Sequence, residues 1–310
     1  MTTLITGGCG YIGSHITKFI NNYIIVDLNN YTNNPYFIKA DITKIDELEQ
    51  IFINNKITNI MHIAGKAFVK ESFDKIDTYY NTNVIGTINI LNMMIKYNIS
   101  KIVFSSSCSV YGNAKNIITE NTPLNPISPY GNTKKICEDI IKNYAATYPI
   151  SYSILRYFNV AGNDNDYIGT DNENNFKRLI PTIILCALKN KVLTINGNDF
   201  NTKDGTCVRN YIHVLDIAEA HVKALSYKNN ITCNLGSNEI YSILDIIKLV
   251  EKYTNKKINY VFGDKIIGDP DIVYCNNELA KTELDFDIKY NIDIIIKSYV
   301  DFINTLFFSV

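Results

Sequence analysis

No tryptophan occurs in this chain of 310 residues, and none of its seven cysteines stands in a C-x-x-C pair. Cys9, Cys108, Cys137, Cys186, Cys207, Cys233 and Cys275 are scattered, which points to a reducing, cytoplasmic setting and away from a zinc site. The four histidines, His15, His62, His213 and His221, lack metal-ligand spacing, so no metal is expected. Charge of one sign is missing too. Thirty basic residues against 31 acidic ones leave a net charge of −1, which removes nucleic acid and anionic membrane surfaces from the expected partners. No apolar run is long enough to span a bilayer. The first strand-like run begins within a few residues of Met1, so no secretory leader is expected. What is left is a chain able to bury a sizeable core in one large or two interleaved units.

The N-terminal stretch carries the first positive signal. Thr2–Thr6 reads as a strand and Ser14–Asn21 as a helix, with TGGCGYIG running from Thr6 to Gly13. Gly8-x-Gly10-x-x-Gly13 fits a dinucleotide fingerprint, and Gly7-x-x-Gly10-x-x-Gly13 fits its extended variant. The glycines permit a tight turn and close approach of backbone to a pyrophosphate, and the helix start offers free N–H groups. A second strand, Tyr23–Val26, ends at Asp27. A carboxylate there can accept hydrogen bonds from ribose hydroxyls and would repel a 2′-phosphate, which favours NAD over NADP. Asn29 and Asn30 nearby leave a simple turn cap as the competing reading of Asp27. Asp41 and Ile42, after the strand Tyr36–Ala40, are candidate adenine contacts. Ile60–Gly65 is another strand ending in small residues. Strands and helices alternate up to about residue 159, which argues for a doubly wound parallel sheet.

The central stretch, FSSSCSVYGNAKNIITENTPLNPISPYGNTK from Phe104 to Lys134, holds the candidate chemistry. The apolar run Lys101–Phe104 reads as a buried parallel strand. Ser105 and Ser106 beyond it are expected to satisfy loop backbone groups, and Ser107 to offer its hydroxyl to a substrate oxygen. Tyr130–Ala146 reads as a helix with Ile136, Ile140, Ile141 and Tyr144 on its apolar face. Tyr130 and Lys134 are four apart and share a side of that helix. Bringing a tyrosine from a pKa of about 10 to about 7 takes about 4 kcal/mol. One charge at ~4 Å in an effective dielectric of ~20 supplies about that much, so Lys134 is expected to make Tyr130 a general base. The same spacing recurs at Tyr97–Lys101, Tyr111–Lys115 and Tyr253–Lys257. Only the Tyr130 copy follows a Ser128-Pro129 helix start.

With these residues in view, TGGCGYIGSH, HIAGKAFVKES, FSSSCSVYG, SPYGNTK, LRYFNVAG and DGTCVRNYIHVLDIA together resemble the extended short-chain dehydrogenase/reductase family, and within it the UDP-glucose 4-epimerase branch. The resemblance covers nearly the whole chain. It implies an α/β fold: a Rossmann sheet with a smaller, interleaved C-terminal α/β substrate domain. Residues 1–159, with a return of about 209–236, would hold NAD, and 160–310 a nucleotide sugar. The implied reaction is C4 epimerisation of a UDP-hexose through a 4-keto sugar. Tyr130 would take the 4-hydroxyl proton, Ser107 would hold the 4-oxygen, and Lys134 would hold the nicotinamide ribose. Cofactor contacts carried over are Gly7, Gly10, Tyr11, Ile12, Gly13, Asp27, Asn29, Asp41, Ile42, Ile63, Ala64, Gly65, Asn83, Ser105, Tyr130, Lys134 and Tyr157. Substrate contacts carried over are Ser107, Tyr130, Phe158, Asn159, Arg178, Leu179, Thr194, Asn196, Arg209, Tyr211 and Asp269. The competing reading of Asn83 is an ordinary exposed helix residue. A homodimer is implied, built from the Tyr130 helix and from a helix over Thr78–Asn98 with Val84, Ile88, Leu91 and Ile95 as its apolar positions.

Departures from the family pattern fall at the substrate end. Arg178 stands where an Asn is usual, Asn196 where an aromatic commonly faces uracil, and Ile266 where a second phosphate-binding Arg is usual. Arg178 is expected to replace part of that charge. Val273 aligns with a pocket-wall position where a small side chain admits a larger sugar. The alternatives are therefore 4-epimerisation of a UDP-N-acetylhexosamine or UDP-hexuronate, or a non-catalytic NAD-binding protein. Related 4,6-dehydratases and decarboxylases carry an acid just after the catalytic hydroxyl. Here Cys108 and Ser109 follow Ser107, with no acid to eliminate water.

Overall fold

The computed structural model describes residues 2–114, 117–164, 178–266 and 269–308. Strands and helices alternate from the N-terminus: β1 (Thr2–Thr6), α1 (Tyr11–Ile16), β2 (Tyr23–Asp27), β3 (Phe37–Lys39), α2 (Ile45–Asn54), β4 (Ile57–His62), α3 (Val69–Asp74), α4 (Ile76–Tyr79), α5 (Gly86–Lys96), β5 (Lys101–Ser107), α6 (Pro129–Thr147) and β6 (Ser151–Tyr157). After β7 (Asn159–Ala161) come α7 (Leu179–Leu188), β8 (Leu193–Asn196), β9 (Val208–Arg209), β10 (Tyr211–His213), α8 (Val214–Ser226) and β11 (Ile231–Leu235). The chain continues through β12 (Tyr241–Ser242), α9 (Ile243–Thr254), β13 (Tyr260–Gly263), β14 (Ile272–Val273), α10 (Glu278–Leu284) and α11 (Ile292–Phe308).

Seven strands form one sheet in the order β11-β6-β5-β4-β1-β2-β3, and every pairing in it is parallel. The strand order reverses between β1 and β4. In an open parallel sheet that reversal leaves a crevice at the carboxyl ends of the strands, where ligands bind. Successive strand residues face opposite sides. Leu4, Ile60, Ile102, Phe104 and Ile154 therefore pack on α2, α5 and α6. Ile5, Met61, Val103 and Leu155 pack on α1, α8 and α10. A third core joins α7, α9 and α11 and closes over the carboxyl end of the sheet. The α8–β11 segment returns from this second lobe to the edge of the large sheet, which makes the two lobes interleaved.

Several local expectations are corrected. The first helix starts at Tyr11 rather than Ser14, with Gly10 in extended conformation at its N-cap, and passes into a 3-10 turn at Thr17–Phe19. The helix expected over Thr78–Asn98 is broken: a π-helical turn, Tyr80–Ile85, separates α4 from α5. The wider turn rotates the side chains that follow. Asn83, Thr87, Ile90, Leu91 and Met94 are buried, while Val84, Ile88 and Ile95 are half-buried. On α6 the buried side carries Tyr130, Thr133, Lys134, Cys137, Glu138 and Ile141, and Ile136, Ile140 and Tyr144 are half-buried. This helix thus turns a largely polar face to the sheet.

That polar face is held by an ion pair. Glu138 and Arg156 have side chains 0% and 3% exposed. The Arg156 guanidinium donates to both carboxylate oxygens, from Nε at 2.9 Å and from the terminal nitrogen at 2.5 Å. Its other terminal nitrogen donates to the Tyr111 hydroxyl at 2.7 Å, which donates in turn to Asn234 Oδ1 at 2.7 Å. Ser106, in register with Arg156 on the next strand, donates to Glu138 at 2.6 Å. The expectation that Ser105 and Ser106 serve loop backbone is therefore replaced. Both lie inside β5, and their hydroxyls meet side chains because the strand runs three residues further than Phe104.

Candidate active site

The glycine-rich turn sits in the β1/β4 crevice. Gly7 adopts a left-handed conformation (φ 71°), and a Cβ there would lie 2.6 Å from the Ala64 nitrogen. A Cβ on Gly13 would lie 2.2 Å from the Gly7 carbonyl oxygen. Only glycine lets turn, helix and the β4 end come this close. Ile63 and Ala64 both donate their N–H groups to the Thr6 carbonyl, at 3.1 and 2.9 Å. Asp27 closes β2 beside the turn and accepts the Cys9 N–H at 3.1 Å and the Leu28 N–H at 2.8 Å; burial pushes its carboxyl up. The cradle and the terminal carboxylate fit a dinucleotide pyrophosphate and ribose. The flanking positions are more self-contained. Asn29 is exposed and hydrogen-bonded to Tyr31, Asp41 accepts from Thr43, and Ile42 is buried beneath Gly86. Asn83 is 2% exposed, which rules out the exposed-residue reading.

Tyr130 and Lys134 do share the buried side of α6. Ser128 caps that helix by accepting the Gly131 N–H at 3.1 Å, and Pro129 occupies its first turn. Tyr97 and Lys101 span the end of α5 and the start of β5, and Lys257 lies beyond the end of α9, so neither of those copies sits on one helix. Lys115 lies outside the described residues. The Lys134 ammonium donates to the Ser105 carbonyl at 2.7 Å and lies 4.8 Å over the Phe104 ring. Burial pushes Lys134 down to about 8. Burial also pushes Tyr130 up to about 12, and a hydrogen bond with Ser107 pulls it part of the way back. Lys134 alone therefore does not bring Tyr130 near neutrality. Its ammonium is drawn to the Ser105 carbonyl, and desolvation of the phenolate is the dominant influence on Tyr130. A further positive charge beside the phenol is needed, which a bound nicotinamide cation would provide.

A second phenol, Tyr157, faces the same space, and its proton is already committed. His221 Nδ1 lies 2.8 Å from the Ile217 carbonyl and so donates to it. Nε2 must then accept, and it accepts from the Tyr157 hydroxyl at 2.5 Å. The Tyr157 oxygen accepts in turn from Ser105 at 2.5 Å. Burial pushes His221 down to about 4, so it stays neutral and keeps accepting. Tyr130 lines the same cavity without such a histidine acceptor among the described residues, which leaves it the phenol able to exchange a proton.

A cavity of about 480 Å³ opens between the two lobes. All eleven residues carried over as substrate contacts line it: Ser107, Tyr130, Phe158, Asn159, Arg178, Leu179, Thr194, Asn196, Arg209, Tyr211 and Asp269. Tyr11, Ile12 and Tyr157 from the cofactor set line it too. Arg209 donates to Asp269 at 2.5 Å and to the Val208 carbonyl at 2.8 Å, so the two residues expected at diphosphate and ribose are paired with each other. The Arg178 guanidinium carbon lies 4.0 Å over the Tyr11 ring. Ile266 is 39% exposed. Val273 packs with Val110, Tyr111, Ile118, Phe158 and Cys275 and is not among the cavity-lining residues, so the expected pocket-wall role falls to the layer behind Phe158. Ala67, Val69, Cys108, Cys207 and Tyr299 also line the cavity; the first four lie within the recognised motifs but carry no expected contact there, and Tyr299 lies outside them. Among the described residues no cluster of His, Cys, Asp or Glu suits a metal, and no helix is long and apolar enough to cross a membrane.

Comparison with known proteins agrees with this geometry. The chain is 38% identical to a UDP-glucose 4-epimerase of Cyamopsis tetragonoloba, with 94% of this chain and 92% of the relative covered. It is also 38% identical to the UDP-glucose 4-epimerase of Bacillus subtilis (strain 168), over 94% of each chain. The crystal structure of UDP-glucose 4-epimerase from Bifidobacterium longum in complex with NAD+ and UDP superposes with a TM-score of 0.90 at 32% identity, covering 97% of each chain. Residues 3–243 match the model of the NAD dependent epimerase/dehydratase family, and the chain belongs to that family.

Proposed function

We propose that this protein is a UDP-hexose 4-epimerase, with UDP-glucose and UDP-galactose as its pair. The observation that carries the reading is one cavity lined both by Tyr130 and Ser107 and by the paired Arg209 and Asp269. Bound NAD supplies a reversible hydride acceptor for C4. Tyr130 takes the proton of the 4-hydroxyl and later returns it. Ser107, which lines the cavity with Tyr130, holds the sugar oxygen beside the phenol. Lys134 adds positive charge on the cofactor side, and Asp27 receives the adenosine ribose. Arg209 exchanges part of its contact with Asp269 for the diphosphate, where a guanidinium binds oxygens in pairs. No acid lines the cavity next to Ser107, which supports simple epimerisation over elimination of water.

The test is a product assay. NAD-loaded protein is incubated with UDP-glucose, UDP-galactose, their N-acetyl forms and UDP-glucuronate, and the products are separated. Interconversion of the glucose pair is expected; conversion of none overturns the reading. Arg178→Ala belongs in the same assay. If Arg178 stands in for the charge absent at Ile266, losing it removes a charge-assisted contact and raises KM by roughly 10- to 100-fold. An unchanged KM excludes that role.

We further propose a homodimer. Val84, Ile88 and Ile95 on the π-turn and α5, with Ile136, Ile140 and Tyr144 on α6, stay half-buried on two adjacent helices, with Val84, Ile95, Ile140 and Tyr144 also touching the core beneath. Half-buried apolar positions of this kind suit a helical partner. Sedimentation at micromolar concentration should give twice the chain mass, and a monomer there rejects the pairing.

A further inference from the structure

The loop Gly65–Phe68, between β4 and α3, is exposed and has no regular structure, yet it lines the reacting end of the cavity through Ala67. Two buried side chains hold it from behind. Asn83 accepts the Lys66 N–H at 2.8 Å, and its amide donates to the Lys66 carbonyl at 3.1 Å and to Thr133 on α6 at 2.9 Å. Tyr79 accepts the Phe68 N–H at 3.1 Å, and its hydroxyl donates to the Phe68 carbonyl at 2.8 Å, with Glu71 at 3.1 Å. Tyr79 and Asn83 are one helical turn apart, across the start of the π-helical turn, and 0% and 2% exposed. Each therefore takes both backbone groups of one residue, and the two residues taken alternate.

In extended chain, alternate residues turn their N–H and C=O groups to the same side. Fastening Lys66 and Phe68 to the helix leaves the Ala67 peptide groups turned away from it. They have no partner among the described residues. The Tyr79 ring also meets the Tyr130 ring edge-on, with centroids 6.4 Å apart, which places the clamp beside the catalytic phenol. We infer that Tyr79 and Asn83 are positioning residues that present the Ala67 backbone as a fixed hydrogen-bonding wall for the hydroxyls of the hexose. This rests on the reading that the cavity takes a UDP-hexose.

Tyr79→Phe keeps the ring and removes the oxygen. The fold is retained, because the Phe68 backbone can turn to water at this exposed loop. Amide hydrogen exchange at Phe68 should speed up, while Lys66 stays protected by Asn83. Calorimetry on NAD-loaded protein should show UDP affinity unchanged and UDP-glucose affinity about tenfold weaker, the effect of one lost positioning contact. Unchanged exchange at Phe68 overturns the clamp. Faster exchange with unchanged UDP-glucose affinity overturns its role in sugar binding, and equal weakening of UDP and UDP-glucose reduces it to general damage. A wild-type protein that binds UDP but no UDP-hexose overturns the functional reading instead. The exchange measurement needs no ligand, so the two failures are told apart.

Discussion

Tyr130→Phe should lower kcat by roughly a thousandfold, the loss expected when a positioned general base is removed, while leaving bound NAD and UDP affinity in place. The phenyl ring still fills its site against Tyr79, and only the oxygen beside Ser107 is lost. The sign of the pH dependence follows from the burial of this phenol. Its proton is held up to about 12 in the protein alone, so the working base appears as pH rises, and wild-type turnover climbs with pH along its acid limb. A cation beside the phenol moves that limb to lower pH. Retention of activity within about tenfold in the phenylalanine variant would place the base elsewhere. Tyr157, a second phenol lining the cavity, is already occupied, because its hydroxyl donates its proton to His221 Nε2.

Glu138→Ala should cost about 3–5 kcal/mol of stability, because it strands the Arg156 charge in the core. Arg156 is 3% exposed and would keep only the Tyr111 hydroxyl as a side-chain partner. Lys142, 3.7 Å from Glu138 and at the surface, can turn to water and adds little. Urea unfolding measures the loss, and an unchanged midpoint would mean that the pair contributes nothing net. Replacing both residues by methionine should recover most of the stability, since a matched apolar pair avoids the desolvation of two ions. Catalysis should not recover in parallel. The pair aligns α6, and with it Tyr130 and Lys134, against Ser106 and Arg156 on the sheet, and methionine offers no directional contact.

Much of the first sheet was legible along the chain because its determinants are local. The Gly7–Gly13 turn announces itself by residue type, since only glycine tolerates backbone this close to Ala64. Apolar runs such as Ile102–Phe104 mark strands covered on both faces. The start of α6 is written in Ser128 and Pro129, and the Tyr130–Lys134 side follows from helical spacing. Periodicity erred where polar residues took the buried side. On α6 the apolar positions Ile136, Ile140, Ile141 and Tyr144 read as one face, whereas only Ile141 of these is fully buried and Glu138, Lys134 and Thr133 share its side, satisfied by partners on β5, β6 and the π-turn.

The chain by itself determined the alternation of strands and helices and the dinucleotide turn, because each depends on neighbours a few residues away; the side chains that face the cavity were named through the family resemblance. Tertiary structure alone decided how those side chains are set. Arg156 meets Glu138, Tyr157 meets His221, Arg209 meets Asp269, and Tyr79 and Asn83 reach back to a loop before α3. A hydrogen-bond partner across a fold depends on which surfaces come together, and a one-dimensional pattern carries the face of each element but not the face it meets. The proton held on Tyr157, the proton available on Tyr130 and the exposed peptide of Ala67 all follow from those meetings.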